Sequence, residues 1–488
     1  MRSMVQAEGL SRADVLAGDR VSYARGFVVS DGEVLAPEHW STLQLDSRWQ
    51  LRWDPRVAIA RAQHGASHIV VIGTPLHLDA PRESGSAIAA RLLHALARSL
   101  DEFQDQVDAL CGRFAVLRID RDELRVQSDA AGLRTIAFST RGAHVVGSHT
   151  RLVAECIGVQ ASALAYATYF RDNGMFQFPG RHTEYDGVLS LTPNTELSAV
   201  SRTTVRVFPR GPVVPCTIDE AAQAIIEAAD AQVGWLRQRD RVVLSISAGV
   251  DSRSSLALLR GLTPNLELFT YDLTYAQKNA GNRFDREAGE ALALLAGVDH
   301  QVVAVEDREP AGPLHKAMHS NSRAVHSRKL ANAYVEQLPI DALHVRSHVH
   351  GVVKGHYQKF NYGHRGFDGG VLARIASADK AVDPKIADAF EAFRLETAFD
   401  QRFDYDPLDL LYWEYRGALI QAPALLESDL ALDTHALLAS RRLLARVLGL
   451  PVGDRKAASV FLRVIELRWP ELLEVPLNGR DARAQGYR

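Results

Sequence analysis

The chain is predicted to be an α/β protein with a strand-rich N-terminal part and a doubly wound parallel sheet in its C-terminal part. Strand-like stretches separated by turn signals fill roughly the first 205 residues. From about residue 217 onward, strands alternate with helices as in βαβ units. Between them, VFPRGPVVPCT carries three prolines and ends at Thr217. We therefore predict two domains, at residues 1–205 and 206–488.

The bulk composition is that of an ordinary globular protein. The 488 residues are 47% apolar and 24% charged, enough for sizeable cores. A net charge of −3 lacks the basic excess of a nucleic-acid-binding protein. The N-terminus has no apolar h-region and the chain no apolar run of membrane-spanning length, so we expect a cytoplasmic location and no membrane partner. Three widely spaced cysteines predict neither disulfides nor a cysteine zinc site.

Each part has its own pattern of elements. In the N-terminal part, strand runs such as HIVVIGTPLHL and CGRFAVLRID are interrupted by helices near 83–100 and 150–158. In the C-terminal part, a Thr217/Glu220 capping box opens a helix. The following strands are predicted at 242–246, 266–272, 300–305 and 342–346, with helices at 252–261, 285–297 and 311–335 between them. From about residue 370 the pattern is mostly helical.

The most informative stretch is RVVLSISAGVDSRSS at 241–255, a strand followed by a small-residue loop and a helix. Backbone N–H groups of such a loop and of the first helical turn lack internal partners and bind phosphate. Gly249 allows close approach of an anion, and Ser247 and Ser252 add hydroxyl donors. Asp251 would repel phosphate unless a bridging Mg²⁺ intervened. The alternative is a plain strand-to-helix turn with an Asp or Ser N-cap.

This loop resembles the pyrophosphate loop (Ser-Gly-Gly-x-Asp-Ser) of ATP pyrophosphatases, with Ala248 at the first Gly. With CGRFAVLRID, SDAAGLRTIAFST and VVGSHTRLVAECIG upstream, the order of parts resembles the asparagine synthetase superfamily, which includes β-lactam synthetases and lasso-peptide cyclases. The resemblance implies an N-terminal αββα glutaminase-type domain and a C-terminal ATP pyrophosphatase domain with a helical end. It also implies ATP and Mg²⁺ as cofactors, with Asp251 holding the metal.

The resemblance assigns a set of nucleotide-binding candidates. They are Leu244, Ser247, Ala248, Gly249, Val250, Asp251, Ser252, Tyr271 and Asp285. Tyr271 is expected either to stack on adenine or to lie in the core. Asp285 opens a predicted helix, so an N-cap role fits it as well as a place beside the nucleotide.

Two departures from the family pattern matter. Glutamine-using members need a Cys after the initiator Met, and this chain has Arg2 there and no Asn-Gly-Glu run, so we expect no glutaminase activity. The second phosphate loop of the family corresponds to RSHVHGVVKGHY at 346–357, which puts Gly351 where the family has a metal-binding Asp. Arg346 and Lys354 are expected to stabilise pyrophosphate directly, unless this loop has lost its catalytic role.

Further candidates lie on the acceptor side. Tyr412 and Glu414 in DLLYWEYRGAL form a candidate pair to deprotonate an amine, or belong to an amphipathic core helix. Lys456, beside Arg455, lies near a late Lys that the family uses to stabilise the tetrahedral intermediate, or starts a solvated helix. The histidines do not have the spacing of a zinc site. They include His315, His319, His344, His348, His350, His356 and His364.

These features together predict an ATP-dependent amide-forming ligase. It would adenylate a small-molecule or peptide carboxylate, release pyrophosphate, and transfer the acyl group to an amine that does not come from glutamine. We expect a role in peptide or secondary-metabolite biosynthesis, no nucleic-acid partner, and a possible homodimer. The alternatives are a nucleotide-binding scaffold without activity and another transferase that uses a pyrophosphatase loop.

Overall fold

A computed structural model describes most of the chain. The described ranges are residues 10–33, 35–162, 170–172, 175–263, 265–276, 279–322, 328–359, 366–377 and 383–479. Arg2 and His364 lie outside them, as does the middle of the helix predicted at 311–335.

The N-terminal part contains two six-stranded antiparallel sheets. The first sheet comprises β1 (Phe27–Ser30), β2 (Ser41–Gln44), β3 (Gln50–Trp53), β8 (Ala137–Ser139), β9 (Val145–Gly147) and β12 (Val188–Ser190). The second comprises β4 (Ile59–His64), β5 (Ser67–His77), β6 (Leu110–Asp120), β7 (Glu123–Ser128), β13 (Thr195–Ser198) and β14 (Thr203–Arg206). The strand orders are 12-8-9-1-3-2 and 14-13-7-6-5-4, and β10 (Phe170–Asp172) pairs with β11 (Met175–Gln177) in a separate hairpin.

Successive side chains of these strands point to opposite faces of each sheet, so that three packed interfaces form. Phe27 of β1 packs between the two sheets, whereas its neighbour Val28 packs outward against α4 (Thr150–Cys156). The outer face of the second sheet is covered by α2 (Gly85–Arg98) and α3 (Leu100–Asp108). The described layers therefore follow the order helix, sheet, sheet, helix. A short helix, α1 (Arg12–Leu16), precedes them.

The C-terminal part is built on a five-stranded parallel sheet, which confirms the predicted parallel strands. Its strands are β15 (Val242–Ser245), β16 (Leu266–Leu273), β17 (His300–Val305), β18 (Leu343–Val345) and β19 (Asp433–His435), in the order 17-16-15-18-19. The last of them, β19, was not predicted. It is only three residues long and is embedded in a region of helices.

Helices surround this sheet and form the end of the chain. They are α5 (Ile218–Leu236), α6 (Val250–Leu258), α7 (Ala280–Ala296), α8 (Gly312–Asn321), α9 (Arg328–Gln337), α10 (His350–Val353), α11 (Gly369–Ala376), α12 (Pro384–Glu396), α13 (Pro407–Leu411), α14 (Pro423–Ser428), α15 (Arg441–Val447), α16 (Val452–Lys456) and α17 (Ser459–Arg468). A π-helical segment spans Tyr412–Gln421, and short 3-10 turns lie at Arg260–Leu262, Thr274–Ala276, His356–Lys359 and Pro470–Glu474.

Both faces of the parallel sheet are buried, as in doubly wound folds. On one face, Leu244 and its neighbours on the strands pack against α5, α6 and α7. On the other face, Val243 and Phe269 pack against α8 and α9. Residues of the N-terminal segment join this second core, where Val15 is fully buried. Residues 10–24 thus contribute to the core on this face of the C-terminal sheet.

The two parts also meet through buried charges. Arg113 of β6 donates to both carboxylate oxygens of Asp429 at 2.5 and 2.6 Å, and the two side chains are 1% and 0% exposed. Arg206 of β14 pairs in the same two-pronged way with Glu414 of the π-helical segment, at 2.7 and 3.0 Å. Such pairs tolerate loss of one partner poorly, because the remaining charge stays buried.

Candidate functional site

The two predicted phosphate loops lie side by side in the fold. The chain enters the sheet at β15, adds β16 and β17 on one side, and then returns to place β18 on the other side of β15. Parallel sheets bind ligands at such a reversal, beyond the carboxyl ends of the strands. The segments after β15 and β18, residues 246–249 and 346–349, flank this reversal directly. The topology therefore brings together two segments about 100 residues apart in sequence.

The first loop has the backbone of an open helix N-terminus. Gly249 is the N-cap of α6 and carries no side-chain capping hydrogen bond, so the first-turn N–H groups face the crevice. The Ser252 hydroxyl accepts from the Ser247 N–H at 3.0 Å and lies 3.0 Å from the Ser247 hydroxyl, which closes the loop on itself. The helix begins at Val250, two residues earlier than predicted, so Asp251 lies in its first turn.

Asp285 contacts this loop from the neighbouring helix. Its carboxylate accepts from the Ala248 N–H at 2.8 Å, and burial raises the pKa of the Asp285 carboxyl group. The expectation that Asp285 is a helix N-cap is wrong, since α7 begins at Ala280 and its cap is Asn279, which accepts from the Gly281 N–H at 2.9 Å. Asp285 instead holds the first loop in place by accepting a hydrogen bond from one of the loop's backbone N–H groups, that of Ala248.

The acidic residue of the first loop is paired with a lysine of the second. The Lys354 ammonium donates to Asp251 Oδ2 at 2.6 Å, and the two side chains are 32% and 29% exposed. The other oxygen, Oδ1, is buried without a hydrogen-bond partner. Lys354 follows α10 directly, and Gly355 next to it has a φ of +58°, which turns the chain back under the site.

A tyrosine closes the position where the family resemblance expects a second acidic residue. A Cβ placed on Gly351 would lie 2.1 Å from the Tyr412 hydroxyl oxygen and 2.7 Å from its Cζ. The Tyr412 ring also lies 5.0 Å from that of His356 and 5.6 Å from that of Tyr357, between centroids. Burial raises the pKa of Tyr412, so its hydroxyl stays protonated at neutral pH. Gly351 is thus the space into which Tyr412 fits.

The start of the second loop is polar and tightly packed. The Ser347 hydroxyl lies 2.8 Å from that of Ser255, and His350 Nε2 lies 3.2 Å from the Ser254 hydroxyl. Burial lowers the pKa of both His348 and His350 to about 4, so both are neutral. The strand predicted at 342–346 is β18, which ends at Val345, and α10 begins at His350.

Arg346 stands at the carboxyl end of β18, beside the first loop. Its N–H donates to the His435 carbonyl at 2.9 Å, which fixes the backbone. The guanidinium is near enough to the buried rings of His344 and His348 to lower the pKa of both, after the larger effect of burial. Its side chain is partly exposed. Arg346 therefore supplies positive charge at the same sheet edge as Lys354.

Two other nucleotide-binding candidates face inward. Leu244 is fully buried in the core between the sheet and α6, so its side chain is structural. Tyr271 lies on the opposite face, with its hydroxyl 2.7 Å from that of Tyr334 and its ring edge-on to Phe269. This arrangement corresponds to the core alternative for Tyr271 rather than to a free stacking platform.

Of the acceptor-side candidates, Tyr412 contacts the second loop, whereas Glu414 and Lys456 are directed elsewhere. Glu414 is fully buried, and its carboxylate accepts from Arg206 and from the Asn194 side chain rather than from Tyr412. Lys456 is exposed at the end of α16. Its neighbour Arg455 is buried and donates to Asp409 at 2.7 Å. Catalytic roles for Glu414 and Lys456 stay predictions that this geometry does not support.

Sequence reasoning missed the part that the C-terminal segment plays at the first loop. Asn478 donates its backbone N–H to the Ala248 carbonyl at 3.0 Å. Arg253 of α6 is fully buried and donates to the carbonyls of Leu472 at 3.0 Å and Pro476 at 3.0 Å. Burial lowers the pKa of Arg253 to about 10. In the sequence, the one feature that indicated this contact was an arginine on the inward-facing side of a helix.

Across the described residues, no cluster of three or more His, Cys, Asp or Glu side chains could hold a metal ion. His315 and His319 lie together on α8, with ring centroids 4.3 Å apart, but they belong to no such cluster. The three cysteines are free thiols. Within the same part of the chain, no helix has the length and apolar character needed to cross a membrane.

Comparison with known proteins gives weak similarities. No family model matches the chain, and no curated protein matches it significantly. NMN synthetase from Francisella tularensis is 13% identical, over 43% of this chain and 93% of that one, with a TM-score of 0.20. Glutamine phosphoribosylpyrophosphate amidotransferase from B. subtilis is 11% identical, over 92% and 94%, with a TM-score of 0.24. A glutamine-dependent NAD⁺ synthetase from Acinetobacter baumannii is 14% identical, over 32% and 33%, with a TM-score of 0.16. At these scores none of the three carries an argument about this chain.

Because Tyr412 packs against Gly351, the addition of a single methyl group at residue 351 is expected to destabilise the protein. Gly351→Ala is expected to lower the free energy of unfolding by about 1–3 kcal/mol, because Tyr412 must move out of its position. Thermal or urea unfolding would measure the change. Gly453→Ala is the matched control, since a Cβ there meets nothing within 4 Å and the residue lies in a helix. Equal stability of the two variants would show that Tyr412 does not fill this space.

Proposed function

We propose that the chain is an ATP-dependent amide-forming ligase whose nucleotide phosphates bind between the first loop and Lys354. One observation carries this proposal: an uncapped helix N-terminus and a lysine from a second loop meet at the reversal point of a parallel sheet. Helix N-termini, ammonium groups and such crevices each favour phosphate. The family resemblance supplies the rest of the proposal, which is the reaction type and the two-domain organisation.

In the proposed reaction, a carboxylate oxygen of the substrate attacks the α-phosphorus of ATP. The bond between that phosphorus and the bridging oxygen breaks, and pyrophosphate leaves with the negative charge. An amine then attacks the acyl carbon, loses a proton, and displaces AMP. The first-turn N–H groups from Val250 onward, Lys354 and Arg346 would stabilise the charge that develops on the leaving pyrophosphate.

The acceptor amine and its base are left open by this arrangement. The Tyr412 hydroxyl is a donor, because burial raises its pKa, and Glu414 is committed to Arg206. We propose that the N-terminal part has a structural role and no glutaminase activity, because it lacks the Asn-Gly-Glu run with which glutamine-using members of the family bind glutamine. Glutamate production by the full chain from glutamine would contradict that role.

The residues present do not suit the Mg²⁺ that the resemblance implies. Asp251 is the single carboxylate of the pair of loops that reaches the crevice, and one of its oxygens already accepts from Lys354. Gly351, the second metal position of the family, cannot carry a side chain under Tyr412. A dication on Asp251 Oδ1 would also stand next to an ammonium group. No step of the reaction is therefore assigned to a protein-bound metal.

One observation favours a second function, a nucleotide-binding scaffold without catalysis. The Asp285 carboxylate takes the Ala248 N–H, so a donor that could reach phosphate is occupied by an anion of the chain itself. The same contact would reduce the number of hydrogen bonds that the loop can donate to a transition state. A scaffold would bind ATP at this site but would release no pyrophosphate.

The test is carboxylate-dependent release of pyrophosphate from ATP, screened with amino acids, small diacids and short peptides. We expect release in wild type, and Arg346→Ala should slow it by roughly 30- to 1000-fold if the guanidinium stabilises the leaving group. Arg121→Ala, on an exposed turn of the N-terminal part, is the control and should be unchanged. ATP binding without release for any carboxylate would favour the scaffold.

A further inference from the structure

The Asp251–Lys354 pair occupies the place where a metal would meet the first loop. Lys354 Nζ stands 2.6 Å from Oδ2, so the ammonium lies within the shell that a cation bound to this carboxylate would need. The lysine is held by its position after α10 and before the turn at Gly355. Neither side chain is fully exposed, so water screens the pair only in part.

The second loop differs from the family pattern at the position where the resemblance implies an acidic residue. Tyr412 fills the space at Gly351, and it comes from the π-helical segment, an uncommon geometry that often occurs at functional sites. His350, one residue earlier, is neutral and bonded to serines of α6. The described residues at this crevice thus offer two carboxylates, Asp251, of which one oxygen is paired with Lys354, and Asp285, which accepts from the Ala248 N–H. Arg346 adds a second cationic side chain at the carboxyl end of β18.

We infer that this site binds the polyphosphate of its nucleotide without a protein-held divalent cation. Lys354 supplies the positive charge, and in the absence of nucleotide it pairs with Asp251 in place of a metal. This inference rests on the proposed function and specifies its cofactor. It predicts that Lys354 and Asp251 act as a unit: removing the lysine alone leaves a carboxylate facing phosphate, whereas removing both charges leaves a neutral site.

The experiment is calorimetric titration of the full chain with ATP, in buffer with EDTA and in buffer with MgCl₂. Wild type should bind in both buffers with dissociation constants within about threefold of each other. In EDTA, Lys354→Met should weaken binding by roughly 10- to 100-fold, because an unpaired carboxylate then repels the phosphates. The double variant Asp251→Asn/Lys354→Met should recover part of that loss, and Asp251→Asn alone should bind as well as wild type or better.

A matched control separates local from general charge effects. Lys385→Met removes an exposed lysine at the start of α12 and should leave both dissociation constants unchanged. Wild-type binding that is lost in EDTA, together with loss of Mg²⁺-dependent binding in Asp251→Asn, would overturn the inference and leave the proposed function standing. Absence of ATP binding in both buffers would overturn both.

Discussion

Asp429→Ala is expected to lower the free energy of unfolding by about 3–5 kcal/mol, the largest single-residue effect that we predict. The substitution leaves the Arg113 guanidinium buried at the junction of the two parts without its carboxylate. Arg113 retains a hydrogen bond from its Nε to the Leu133 carbonyl at 2.9 Å and an ion pair with Asp433 at 3.7 Å, and neither replaces the two short hydrogen bonds to Asp429. Urea unfolding followed by fluorescence would measure the loss.

The same junction provides a control with matched geometry. Asp79 and Arg442 also join the two parts through two hydrogen bonds, at 2.6 and 2.7 Å, but the side chains are 61% and 48% exposed. Asp79→Ala should cost less than about 1 kcal/mol, because exposed pairs are screened by water. Similar losses in the two variants would contradict the claim that burial decides the effect.

Acid is expected to destabilise the protein strongly as the pH falls from about 6.5 toward 4. Burial lowers the pKa of His348, His350 and His435 to about 4 and that of His149 to about 3, from an ordinary value near 6.5. Between those values the unfolded chain binds protons that the folded chain does not, so stability decreases as the pH is lowered. Each such histidine contributes about 3 kcal/mol when the pH falls through this whole window.

Buried carboxyl groups act in the opposite direction. Burial raises the pKa of Asp108 and Asp129, and such carboxyl groups favour the folded state as they take up protons at lower pH. The measurement is the free energy of unfolding in urea at a series of pH values. His435→Gln should reduce the slope between pH 6 and 5 by about one proton. A flat profile from pH 7 to 5 would contradict the account.

The parallel sheet could be predicted because its signals are local. Apolar runs such as Val242–Ser245 alternate with helical periods, and small residues at the strand end mark the first loop. The topology then follows, since a returning strand next to β15 puts the second loop beside the first. Boundaries were less accurate because caps such as Asn279 compete with other capping residues nearby, as at Asp285.

The contacts that define the site depend on residues far apart in sequence. Tyr412 meets Gly351 because a π-helical segment, which has no sequence pattern of its own, sets the direction of the tyrosine ring. Glu414 looked like a partner for Tyr412 from spacing alone, but Arg206 from the other part of the chain binds it. The sequence predicts only that the loops carrying Asp251 and Lys354 lie at the same edge of the sheet. It does not predict that the two side chains form an ion pair.

The central claim is that the loop from Ser247 to Ser252 binds the phosphates of ATP. The most direct measurement is a crystal structure of the full chain with a non-hydrolysable ATP analogue. We expect phosphate oxygens within about 3 Å of the first-turn N–H groups of α6 and of Lys354 Nζ. Triphosphate density elsewhere on the protein, with this loop unchanged, would contradict it.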